Sequence, residues 1–302
     1  MMNTLLLQSN MNFLQTVVTI FGVTATISGV CSTVYAQLPQ IEQAQTSYPL
    51  KQETVSQLEE KLDLSLLANT VTNFLRSESY QTQSEMEISM TAPGLSLKYL
   101  VEIETFTQAP DKFRSEITFL PSFESSTPVN YTVVADGSQI WIYRPDLQQY
   151  AVTNSADFSE MFLTGFSSLI FLEFSASIRE SFPEAEITHE NIVDLIEVTL
   201  KSNNFQSNDP NLNSGKQTVQ DKEYYIYEYT VPEEELLFKA FVDPETAILN
   251  QLQFALKDEE SNFVFTEQIV QRIANPLITA DTFSFSPPQG AIMVESLSIR
   301  PF

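Results

Sequence analysis

Residues 81–103 read QTQSEMEISMTAPGLSLKYLVEI, and the fold is decided there. Met86, Ile88 and Met90 alternate with polar residues, Ala92-Pro93-Gly94 interrupts with turn formers, and Leu95, Leu97, Tyr99, Val101 and Ile103 resume the alternation. A period of two puts one set of side chains on one side of a pleated strand, so the stretch reads as a β-hairpin with one buried face. The pattern continues outward. Residues 113–119, 131–135, 139–143 and 149–153 read as further strands, with Asp136-Gly137 and Arg144-Pro145-Asp146 as tight turns. Later come residues 223–231, 236–242, 247–256 and 262–269, separated by Pro232-Glu233-Glu234, Asp243-Pro244-Glu245-Thr246 and Lys257-Asp258-Glu259-Glu260. Consecutive strands joined by hairpin turns give a largely antiparallel, up-and-down sheet.

Three stretches depart from this period. Val55, Leu58, Leu62, Leu66, Val71, Phe74 and Leu75 recur at helical spacing, which predicts a helix over one end of the sheet with Thr54 as its cap. Residues 157–178 contain Phe158, Met161, Phe162, Leu163, Phe166, Leu169, Ile170, Phe171, Leu172, Phe174 and Ile178 with no turn signal between them. A helix there is apolar nearly all round, so it is buried on more than one side or lies against an apolar molecule. Residues 184–200 fit strand or helix equally. Residues 201–216, rich in Asn, Ser, Asp and Gly, read as a long surface loop.

The first 36 residues carry no charge, and residues 13–27 are mostly apolar. With Val34-Tyr35-Ala36 at their end they read as an export signal cut after Ala36, followed by a flexible, Gln-rich leader at 37–53 and one domain over 54–302. Cys31 is the only cysteine, and Val30 before it makes a poor lipidation box. Cleavage at Ala36 leaves a chain without thiols, which excludes disulfides and Cys-based metal sites from the mature protein. The 39 acidic against 15 basic residues give a net charge of -24, which repels nucleic acid and anionic membrane surfaces at long range. No stable membrane span is expected in the mature chain.

The segments Ala135-Asp136-Gly137-Ser138-Gln139-Ile140-Trp141-Ile142-Tyr143-Arg144-Pro145-Asp146, Phe241-Val242-Asp243-Pro244-Glu245-Thr246 and Asp281-Thr282-Phe283-Ser284-Phe285-Ser286-Pro287-Pro288-Gln289-Gly290-Ala291 occur in the order seen in LolA-type periplasmic lipoprotein carriers. The chain resembles that superfamily over roughly residues 58–295. The resemblance implies an α+β, mainly β fold: a curved antiparallel sheet forming an incomplete barrel, covered by helices, that carries acyl chains without covalent chemistry in the periplasm. The ligand-facing residues are then expected among Trp141, Tyr143, Met161, Phe162, Phe166, Leu169, Ile170, Phe171 and Phe174, with the segment around residues 161–174 as a lid or plug. Which of the pairs Trp141/Tyr143 and Ile140/Ile142 faces the concavity is open. The expected partner is a lipid acyl chain or an acylated lipoprotein; the alternative is an envelope sensor that binds a protein partner with the same fold.

No catalytic constellation accompanies these features, and no cofactor is expected. His189 is the sole histidine and reads as a surface residue. There is no G-x-S-x-G elbow, and Glu233-Glu234-Glu235 and Glu259-Glu260 sit in turns, as solvated charge does. Tyr225, Tyr227 and Tyr229 share a strand face, with Tyr224 on the other. Acidic neighbours Asp221, Glu223 and Glu228 make this a packed aromatic sheet face and not a base-stacking platform.

Overall fold

The protein is described as a computed structural model, covering residues 62–120, 127–154, 158, 161–181, 188–202, 211–231, 236–257 and 262–300. The expected signal and leader, residues 54–61 of the first expected helix, and the acidic turns at 232–235 and 258–261 lie outside the described residues.

The hairpin forms as its alternation requires. Strands β1 (Ser79–Ala92) and β2 (Leu95–Gln108) pair antiparallel, with Met86 opposite Val101 and Met90 opposite Leu97. Outward from β2 follow β3 (Lys112–Phe119), β4 (Val129–Asp136), β5 (Ile140–Arg144) and β6 (Gln149–Thr153), each beside its predecessor. A second meander contains β7 (Leu212–Val219), β8 (Lys222–Val231), β9 (Leu236–Val242), β10 (Leu249–Lys257) and β11 (Asn262–Ala274). β11 returns to pair with β1, which fuses the two meanders into one sheet. The short β12 (Ile292–Met293) adds in parallel beside β6. The sheet is curved and does not close into a barrel; β7 and β12 are its edges. β7 corrects the expected loop at 201–216: its Asn, Ser, Gly, Lys and Gln residues hide a strand that the neighbouring β8 recruits.

The turn at Asp136 shows how short-range chemistry fixes the meander. Its carboxylate accepts the Ser138 and Gln139 N–H groups at 2.8 and 2.9 Å. These bonds hold its pKa below the usual carboxylate range. Gly137 sits at φ 96, and a Cβ there would lie 2.8 Å from the Asp111 carboxylate, so the turn needs glycine.

The helices lie on one side of the sheet. Helix α1 (Leu64–Leu75) is capped by the extended Asp63, whose carboxylate accepts from the Leu66 N–H. This corrects the expectation of one continuous helix from Thr54, because Leu62 and Asp63 are not helical. A 3-10 turn (Met161–Thr164) leads through Gly165, at φ 103, into α2 (Phe166–Ser181). The ambiguous segment resolves as helix α3 (His189–Ser202), with His189 half-buried at its start. Side chains from all three helices join one core with the inward residues of the strands, among them Tyr80, Met86, Val101, Ile117, Val133, Ile140, Tyr227, Phe238 and Phe254.

Candidate functional site

The inward face of the sheet is apolar toward both ends, but a polar band crosses its middle. Register aligns Ser115 of β3 with Thr105 of β2, Thr105 with Thr82 of β1, and Thr82 with Arg272 of β11. Ser84 and Glu267 lie beside this row; Thr82, Ser84, Thr105, Ser115 and Glu267 are buried. Helix α2 docks its first turn on this band. The Thr105 and Ser115 hydroxyls both donate to the Thr164 carbonyl. The Glu267 carboxylate accepts the Ser167 N–H at 2.6 Å and the Ser167 hydroxyl at 2.9 Å. An acid at a helix N-terminus satisfies otherwise orphaned N–H groups and complements the helix dipole. Glycine at 165 supplies the φ of 103 with which the chain turns from the 3-10 turn into α2 over this band.

A fold irregularity creates the site. Glu267 and Arg272 are five residues apart, so a regular strand would send them to opposite faces. Between Gln83 and Ser84 the register slips from Gln271 to Ile269, leaving Val270 as the extra, exposed residue of a β-bulge. Both side chains then point inward. Burial pushes the Glu267 carboxyl up, opposed by its bonds from Ser167 and Ser84. The Arg272 guanidinium stacks 3.8 Å from the Phe74 ring centroid and 4.0 Å from that of Tyr80, with Phe171 at 5.2 Å.

The expected ligand-facing residues divide into two sets. Phe166, Ile170, Phe171 and Phe174 are brought together in the buried core, and Leu169 packs against it half-buried. Phe171 is fully buried, edge-on to Tyr80 at 4.9 Å and to Phe74 at 6.2 Å; Phe166 packs on Phe238 and Phe254. Met161 and Phe162 lie in the 3-10 turn, their side chains outside the described set. Trp141 and Tyr143 do not join the others. Ile140 and Ile142 take the inward face of β5, and Trp141 and Tyr143 take the opposite one, where Phe285 of the C-terminal segment packs against Tyr143 and Tyr150.

Sequence reasoning missed Glu267, Arg272 and the Ser/Thr band. It placed Tyr225 and Tyr227 on one face, and they lie there with rings 5.0 Å apart. Their hydroxyls also tie down the start of α1: Tyr227 donates to the Asp63 carbonyl at 2.8 Å, and Tyr225 accepts from the Asp63 N–H at 3.2 Å. Among the described residues no group of three or more His, Cys, Asp or Glu is placed to hold a metal, and no helix is long and apolar enough to cross a membrane.

Neither a protein-family model nor a curated protein matches the sequence. Solved structures give distant similarities. A LolA superfamily protein from Nitrosomonas europaea shares 11% identity over 73% of this chain and 96% of its own, with a TM-score of 0.28. LprF from Mycobacterium bovis shares 8% over 71% and 95%, with a TM-score of 0.34. The MucA/MucB complex of Pseudomonas aeruginosa shares 10% over 80% and 68%, with a TM-score of 0.32. The likeness is confined to the course of the chain.

Proposed function

We propose that this protein binds the acyl chains of a lipid or lipoprotein between α2 and the inward face of the sheet, and carries them through the cell envelope without covalent chemistry. The observation that supports this reading most directly is the position of α2. Phe166, Ser167, Ser168, Ile170, Phe171, Leu172, Phe174 and Ser175 are all buried, so the helix is enclosed on most sides by a sheet that remains open. A helix that covers one core ordinarily buries a single stripe. Here the helix occupies the volume that an apolar ligand would take, as a plug does; besides its apolar packing, its first turn is fastened by Glu267, while Thr105 and Ser115 hold the 3-10 turn before it. Swinging α2 about Gly165 would exchange helix contacts for ligand contacts on the same aromatic lining. A long acyl chain buried there brings about 0.8 kcal/mol per methylene, roughly 10 kcal/mol gross, less the ordering cost of chain and helix.

The test is direct. Organic extraction of the purified mature protein followed by mass spectrometry is expected to release lipid, and delipidated protein is expected to bind cis-parinaric acid saturably at a low molar ratio. Absence of both ends the carrier reading. One feature favours the second reading, docking of a protein partner: edge strand β7 pairs only with β8 among the described residues. An open edge can accept an added strand. A photocrosslinker at the exposed Thr218 would trap such a partner in envelope extracts.

A further inference from the structure

Halfway along the polar band the hydrogen bonding stops. Ser115 and Thr105 spend their hydroxyls on the 3-10 turn, but the Thr82 hydroxyl, and the Nε, Nη1 and Nη2 atoms of Arg272 opposite it, are buried with no hydrogen-bond partner. The aromatic rings do not account for this. The Phe74 and Tyr80 rings lie over the guanidinium carbon and Tyr80 favours its charged form, but a ring face offers no lone pair to the five N–H donors, and the Tyr80 hydroxyl itself donates to the Asn73 carbonyl. Unpaired buried donors of this kind call for an explanation, and a buried cation does so more than a neutral amide.

Glu267 does not supply it. Its oxygens are engaged by Ser167 and Ser84, it favours the Arg272 cation only through space, and burial pushes its own pKa up. Burial also lowers the Arg272 pKa, to about 10, so the guanidinium stays cationic at neutral pH. Tyr80 and Glu267 favour the cation, and Arg76, at the exposed C-terminus of α1, opposes it. Arg272 and Arg76 thus place two cations near each other in a chain whose net charge is -24. Salt screens exposed charges beyond about 8 Å, so an anion at Arg272 meets these two more strongly than the distant surface acids.

We infer that Arg272, with the Thr82 hydroxyl beside it, is an oxyanion-binding subsite that receives the anionic head of an acyl ligand. The inference rests on the acyl-binding reading above and narrows it: the ligand is an amphiphile with a carboxylate or a phosphate, oriented head toward Arg272 and Arg76 and chain along α2. A guanidinium fork matches either oxyanion through two parallel N–H bonds.

The experiment is calorimetric titration of delipidated mature protein with three ligands of equal chain length below their micelle concentrations: oleate, 1-oleoyl-lysophosphatidate and oleyl alcohol. Wild-type protein is expected to bind at least one of the two anions tenfold or more tightly than the alcohol, and which anion wins tells carboxylate from phosphate. In Arg272→Met, whose apolar side chain suits the aromatic cage, that preference is expected to fall below threefold while the alcohol binds as before. Arg272→Lys, which keeps the charge but loses the fork, is expected to fall between, and it serves in place of the Met variant if that fails to fold. Equal affinity of wild type for all three ligands overturns the subsite and leaves the acyl-binding reading standing. So does an anion preference that survives Arg272→Met. No binding of any of the three overturns both.

Discussion

Glu267 fastens the first turn of α2, and its removal tests how far that helix depends on the contact. Its carboxylate is the acceptor for the backbone and side-chain donors of Ser167, both buried. Glu267→Ala strands two donors, at about 1–3 kcal/mol each, and opens a void; a loss of about 4 kcal/mol is expected. That is a large share of the 5–15 kcal/mol typical of a whole domain. Glu267→Gln keeps a carbonyl for the Ser167 N–H and an amide that can donate to the Ser167 oxygen, and it removes the ionisation. The sign of the pH effect follows from the raised native pKa. Between the unfolded carboxyl value of about 4.3 and that raised value the native state holds more protons, so this group's contribution falls as pH rises. It is complete below about pH 4.3 and is lost as pH passes the native pKa. Urea unfolding of wild type and both variants from pH 4 to 8 measures this, with the background charge of -24 cancelling in the differences. Wild type minus Gln should decline with pH, and hydrogen exchange should show α2 opening first in the Ala variant. A loss under 1 kcal/mol for Glu267→Ala, or a difference that climbs with pH, would refute this role of Glu267.

Two further outcomes are expected. Phe166→Ala and Phe171→Ala separate plug from permanent core: ordinary core truncation costs about 3–5 kcal/mol, whereas a ligand-exchanged position should cost less when lipid is bound and change lipid affinity more; melting temperature and affinity, with and without lipid, decide it. If both variants lose the full amount while lipid binds unchanged, α2 is core. Trp141, on the face opposite the helices, should hold its emission maximum within about 2 nm on titration with oleate, and a large blue shift would show that the ligand reaches the outer face.

The hairpin, the first meander, strands β8 to β11 of the second and the buried middle helix were legible in the sequence because each rests on a local period: Met86, Ile88 and Met90 require two, and the unbroken apolar run from Phe158 requires burial whatever it packs on. The choice between Ile140/Ile142 and Trp141/Tyr143 was not legible, since both pairs are apolar and only the side on which α2 lies distinguishes them. The polar band was half legible. Continuing the phase of Met86 backward gives Ser84 and Thr82, and continuing that of Val101 and Ile103 forward gives Thr105 and Thr107, so four polar residues stand where the pattern requires apolar ones. Such a break in phase on a core face signals that something polar must be met there. Glu267 and Arg272 carried no comparable signal, because a strict alternation assigns them to opposite faces and places at least one in solvent. The bulge at Val270 overrides that assignment through pairing with β1, nearly two hundred residues away in the chain, and periodicity within a single strand holds no record of it. The polar groups of the inward face thus gather where the local pattern fails, in a register slip that turns Glu267 and Arg272 inward together: the first fastens the start of α2, and the guanidinium of the second is buried against Phe74 and Tyr80.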